Sequence, residues 1–305
     1  MLNSIKAEIR KSVVGKEHAI EAICIALLSG GHILIEDLPG LGKTTLAKSF
    51  SEAMTCTFSR VQFTPDLMPS DLIGVSIYDK SKQSFVFQKG PLFTNILLAD
   101  EINRTSPKTQ SSLLEAMEES QITIDGVTYI LDSPFLVIAT ENPIELQGTF
   151  PLPEAQLDRF MMRIALGYPT LEEEVGILTL KETKEIINGV LNVEGLLNAR
   201  KAINNIYVDD AIKAFIVKLC KATRENSNIK LGASPRASVH LFQAAKAKAY
   251  LEGRDYVVAS DVTGLFESVV AHRIILKGEA IYRGLGVNAI LSEVIHNMDV
   301  PKITR

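Results

Sequence analysis

The chain has 305 residues, 46% of them hydrophobic and 22% charged, with a formal net charge of −4. This is the composition of a globular protein of one large unit or two ordinary ones, whose core needs no disulfide or metal staple. It excludes a membrane span, since no apolar run reaches about 18 residues, and the acidic balance gives no global signal for nucleic acid.

The N-terminus, "MLNSIKAEIRKSVVGK", mixes charge with apolar residues and lacks the apolar stretch of a signal peptide. The three cysteines, Cys24, Cys56 and Cys220, are scattered and have no metal-ligand spacing. They read as reduced, mostly buried thiols of a cytoplasmic protein. The five histidines show no HxH or HExxH pattern and read as structural or surface residues.

In chain order, "AIEAICIALLSG" (19–30) predicts an apolar helix stopped by glycine, and "HILIE" (32–36) a short buried strand. "EDLPGLGKTT" (36–45) follows, and a helix is predicted over 43–54. The loop fits G-x-x-x-x-G-K-[ST] at Gly42, Lys43 and Thr44, but its first glycine is replaced by Asp37. Loops of this kind wrap phosphates with backbone N–H groups at a helix N-terminus. Lys43 would face the β- and γ-phosphates, Thr44 would ligate Mg²⁺, and Gly40 and Gly42 would allow close approach. Asp tolerates the left-handed backbone that glycine supplies, and its carboxylate is expected to point away from the phosphates or to take loop amides.

Further apolar runs at 57–63, 95–100 and 135–140 predict strands of a parallel sheet covered by helices. "QITIDGVTYIL" (121–131) alternates around Asp125-Gly126 and predicts a hairpin. "NILLADEIN" ends a strand in Asp100 and Glu101. An acid that holds the metal shell and a carboxylate that orients water are what triphosphate hydrolysis needs. In "FLVIATENP", Asn142 stands at a strand tip, either to sense a γ-phosphate or as an Asn-Pro turn.

Ten of the twelve prolines lie between Pro39 and Pro169. Beyond them the chain reads as helical, with periods at 171–187, 209–225, 236–252 and 260–276. The boundary is placed near Tyr168.

Taken together, "VVGKEHAI", "GGHILIEDLPGLGKTTLAKSF", "VQFTPDLMPSDLIG", "FQKGPLFTNILLADEINRTSPKTQSSLLEAMEE", "VIATENPIELQGTFPLPEAQLDRFMMR", "GASPRA" and "HRIILKGEA" resemble the MoxR group of AAA+ ATPases over nearly the whole chain. The resemblance implies an α/β core over 1–168, a parallel sheet sandwiched by helices, followed by a helical lid over 169–305. It implies an insert at about 64–93 and a hairpin at about 121–131.

Residue by residue, it implies that Val14 and Gly15 line an adenine pocket. Pro39, Gly40, Leu41, Gly42, Lys43, Thr44 and Thr45 match Walker A, Asp100 and Glu101 Walker B, and Asn142 sensor 1. Arg159 matches an arginine finger that reaches the neighbouring subunit's nucleotide, with Arg163 and Arg104 as lesser candidates, and Arg236 matches sensor 2, in cis or in trans. The alternatives for Arg159 and Arg236 are a salt bridge to Asp158 or Glu154 and a helix-surface arginine.

The implied function is Mg-ATP hydrolysis in a homo-oligomeric, hexameric ring that remodels or matures client proteins, von Willebrand factor A domain proteins among the partners. A nucleotide-gated scaffold, a magnesium-chelatase-like subunit and a nucleic-acid motor are the alternatives.

Overall fold

The computed structural model describes residues 1–124, 126–143, 148–183 and 185–301. Its strands are β1 (Ile33–Glu36), β2 (Phe58–Gln62), β3 (Gly74–Asp79), β4 (Ser84–Lys89), β5 (Ile96–Asp100), β6 (Gln121–Ile124), β7 (Val127–Ile130), β8 (Leu136–Glu141), β9 (Met162–Ile164), β10 (Ile229–Leu231) and β11 (Ile275–Leu276). Five of them form one sheet in the order β2-β5-β8-β1-β9, each neighbouring pair parallel.

The apolar runs explain this sheet. Side chains alternate across a strand, and here both faces are buried. Ile33, Ile35, Ile96, Leu98, Leu136 and Ile138 face a core shared with the helices Leu2–Ile9, Glu17–Ser29 and Lys43–Ala53 and with the C-terminal helices. Leu34, Leu97, Ala99, Val137 and Ala139 face a second core with the helix Pro107–Glu119. The expected strands and the glycine-stopped helix are all present. β9 was not expected, because "MRI" is too short to signal itself.

The expected hairpin is β6–β7, whose Asp125 lies outside the described residues. The insert at 64–93 is a short helix, Pro69–Ile73, followed by the antiparallel pair β3–β4. The two hairpins are joined by rings, with Phe87 and Tyr129 centroids 4.4 Å apart.

After β9 the chain is mainly helical. The helix predicted over 171–187 stops at Glu182, and the one over 260–276 spans Ala259–Val270 and is followed by β11, which pairs antiparallel with β10. Helices Val193–Asn204 and Val287–His296 were not expected. No helix among the described residues is long and apolar enough to cross a membrane.

Two polar joints seat the helical unit on the sheet. Arg273, only 5% exposed, donates from Nε to Asp158 Oδ1 at 2.7 Å and from Nη2 to Phe160 O at 2.6 Å, so it braces the segment before β9.

The second joint is Asp37. Its backbone is not in the left-handed region, which Asp would tolerate; Gly40 (φ +83°) and Gly42 (φ +87°) supply that geometry. The Asp37 carboxylate accepts from Leu38 N at 3.0 Å, Leu166 N at 2.5 Å and Gly167 N at 2.9 Å. It ties the loop after β1 to the linker after β9. Asp37→Gly, which restores the usual loop letter, should therefore cost about 1–3 kcal/mol by stranding those amides, and Asp37→Asn less. Urea unfolding checks this, and a glycine variant as stable as the parent would refute the joint.

A buried histidine makes the stability depend on pH. His32 accepts from Val137 N through Nδ1 (3.0 Å) and donates through Nε2 to Met117 O (3.0 Å), so it is neutral. Burial lowers its pKa to about 4. Because the folded value lies below the ordinary one near 6.5, the unfolded chain binds the extra proton. The stability is present above pH 6.5 and is lost as pH falls toward 4. Between pH 7 and pH 4 the wild type should lose about 2–3 kcal/mol that His32→Gln does not lose, measured as the difference between their denaturation slopes. Parallel slopes would remove His32 from the account.

Candidate functional site

All strands of the parallel sheet end on one side, and the loop after β1 lies there. Gly42 caps the helix Lys43–Ala53, whose first turn carries Lys43, Thr44 and Thr45. Lys43 is buried, and its Nζ donates to Asp37 O at 2.9 Å. A cavity of about 580 Å³ opens beside the loop. Val14, Gly40, Leu41, Gly42 and Thr45 line it from the core, and Pro169, Ile177 and Leu180 from the helical unit. Gly15 is adjacent in sequence, lies against the Glu173 carboxylate and has φ +68°, a left-handed backbone that suits glycine. The cavity lies between the two units, has an apolar wall for a base, and has a helix N-terminus for anions.

The acids are set at the same edge. Asp100 is buried; its Oδ1 accepts from Thr140 Oγ1 at 2.6 Å and its Oδ2 from Arg60 Nη2 at 2.7 Å. Glu101 has φ +58°, a left-handed conformation that costs a non-glycine residue on the order of 1–2 kcal/mol. Its N–H donates to the same Thr140 Oγ1 at 2.9 Å, and its Oε2 accepts from Gln62 Nε2 at 2.8 Å and lies 3.1 Å from Arg104 Nε. Thr140 thus fixes both acids. Strain held by several partners in this way is a mark of a functional position.

Asn142 is buried just past β8. Before it, Glu141 pairs in register with Glu36, which bonds Arg163 at 2.6 Å. Burial, then the Glu36 charge, raises the Glu141 pKa to about 7, against the pull of Arg163. Arg104 and Arg163 are thus occupied beside the acids of their own subunit. The hard oxygens of Thr44 and Asp100 are a donor set that suits Mg²⁺.

Arg159 and Arg236 are elsewhere. Arg159 precedes β9, and Met161 N donates to His32 O just ahead of β1, so it lies at the opposite edge of the sheet. β1 and β8, of four and six residues, separate the edges by roughly 13–20 Å. There Arg159 Nε is 3.2 Å and Arg236 Nη2 2.5 Å from the carboxylate of Glu118. The partner is neither Asp158 nor Glu154, because Asp158 is held by Arg273 and by Ser234 Oγ.

Thr140, Arg60, Gln62, Arg273 and Glu118 were not expected at the site. Only Thr140 carried a local signal, as a buried hydroxyl inside the apolar run "FLVIAT". The others act through partners tens of residues away in sequence.

A family model described as the ATPase family associated with various cellular activities (AAA) matches residues 32–162, and an AAA lid domain model matches 221–294. The chain is 44% identical to the uncharacterized protein YeaC of Bacillus subtilis, over 99% of this chain and 95% of that one. It is 39% identical to the chaperone MoxR1 of Mycobacterium tuberculosis, over 97% and 81%. A crystal structure of a Cytophaga hutchinsonii protein assigned as an ATPase superposes with a TM-score of 0.92 at 40% identity, covering 99% of this chain and 96% of that one. The glycine loop, the Asp-Glu strand end and these full-length relatives agree: the chain belongs to the MoxR family of AAA+ ATPases.

Proposed function

We propose that the chain hydrolyses Mg-ATP in a site completed by a second subunit, and that turnover drives chaperone-like remodelling of client proteins. The observation that carries this is the separation of parts. The loop, Asp100, Glu101 and Asn142 stand at one sheet edge, and Arg159 and Arg236 at the other.

The core is taken as 1–168 and the lid as 169–305, with ATP between them. The cavity beside Val14 and Leu41 takes the base, with Gly15 shaping its wall. The amides from Pro39 to Thr45 take the phosphates, and Lys43 leaves the Asp37 carbonyl for a phosphate oxygen. Glu101, held by Gln62 and Arg104, orients the attacking water and receives its proton, and Asn142 positions that water against the γ-phosphate. Thr44 and Asp100 would hold Mg²⁺, which neutralises phosphate charge when bound. Arg159 and Arg236 reach the neighbour's γ-phosphate and stabilise the charge that develops on it.

AAA+ proteins form oligomeric rings, and a hexamer is the expected assembly here. The relative named a chaperone supports a protein client, and a von Willebrand factor A domain protein is the partner class we favour. Three scattered thiols are in keeping with a cytoplasmic setting.

ATP hydrolysis per subunit, followed across a wide range of protein concentration, tests this. Activity should climb with concentration. Arg159→Ala should lower it by about 10³-fold or more, and Glu101→Gln by at least about 10²-fold. Mixing Lys43→Ala with Arg159→Ala subunits should restore a fraction of the activity, since one supplies the arginine and the other the loop. Measurable ATP binding with flat, negligible turnover would favour a nucleotide-gated scaffold instead.

A further inference from the structure

Glu118 is the next-to-last residue of the helix Pro107–Glu119. A carboxylate there faces the negative end of the helix dipole, which disfavours it. It is offset by two cations. Its Oε2 lies 3.2 Å from Arg159 Nε, and its Oε1 accepts from Arg236 Nη2 at 2.5 Å. One guanidinium comes from the core and the other from the lid, so the carboxylate also bridges the two units.

The balance is unequal, with one negative charge against two positive. The neighbouring acid Asp158 cannot make up the difference, because Arg273 Nε and Ser234 Oγ already take its Oδ1. The three side chains are 30–39% exposed. Pairs this open to water hold weakly and give way to a stronger anion. A triphosphate is such an anion.

We propose that Glu118 is a positioning residue that acts through Arg159 and Arg236. In the separate subunit it is their internal counter-ion, occupying the place that the neighbour's triphosphate takes in the assembly. It keeps both guanidiniums together at the far edge of the sheet and charges each assembly step the cost of releasing them. Release also frees the lid end of the Arg236 contact, so nucleotide engagement in one site loosens the lid of the subunit that supplies the arginines. The proposal rests on the reading of Arg159 and Arg236 as acting in trans.

The test is Glu118→Gln, with Glu118→Ala beside it. Two readings are taken on the full chain: the protein concentration at half-maximal ATPase activity, and ATP-dependent assembly by sedimentation. Freeing the arginines should lower the half-maximal concentration by about three- to fivefold, and added salt should shrink the difference. In an Arg159→Ala/Arg236→Ala background, Glu118→Gln should leave assembly unmoved. A structural role would instead raise the concentration needed and lower the melting temperature in either background. An unchanged or raised concentration in Glu118→Gln, with Arg159→Ala inactive, overturns the Glu118 proposal alone. An active Arg159→Ala enzyme, or activity independent of concentration in the wild type, overturns the trans reading and this proposal with it.

Discussion

The polarity of one five-stranded parallel sheet governs the placement of everything else. Parallel strands deliver every loop that follows a strand to one edge and every segment that precedes one to the other. The loop after β1, the acids after β5 and Asn142 after β8 therefore converge without any of them being close in sequence. By the same rule Arg159, which comes before β9, is kept away from them. The register does the fine work. Ala99 pairs with Ala139, so the next residue of β8, Thr140, stands beside Asp100 and can bond both Asp100 and Glu101.

Asp37 shows how a departure from a motif can be a substitution of one constraint for another. Glycine at that position would supply backbone freedom, but the backbone here does not use it. The carboxylate instead collects three amides, two of them from the linker after β9. The phosphate loop is fastened to the segment through which the lid begins. The Asp37 carbonyl in turn holds Lys43.

The parts legible in the sequence were those encoded locally. The runs that became β1, β5 and β8 are apolar on both faces, and the β6–β7 hairpin is announced by its turn. Gly42-Lys43-Thr44 and Asp100-Glu101 are contiguous, so their chemistry can be read from neighbours alone. What escaped was set by contacts distant in sequence. β9 is three residues long and exists because β1 offers it an edge. The helix Val193–Asn204 packs on Glu17–Ser29, with Arg200 donating to Leu27 O at 2.9 Å, a partner far away in sequence. Arg159 was expected to pair, if at all, with acids next to it in sequence. Its partner is 41 residues earlier, at a helix end that the fold brings to the same edge.

The two-edged layout also constrains how copies can meet. A subunit whose loop is at one edge and whose arginines are at the other cannot complete both sites of a two-fold dimer through a single self-complementary patch. On the proposed trans reading, the arginine face of one copy meets the loop face of the next, which is a heterologous, head-to-tail contact. Such contacts end only by closing into a ring or by running on as a filament. Closure depends on the angle between the two faces, and that angle is carried by the lid, since Arg236 belongs to it and Arg273 of the same unit braces the segment bearing Arg159. On the proposed reading, nucleotide at one interface therefore bears on the geometry of the next, through a buried arginine.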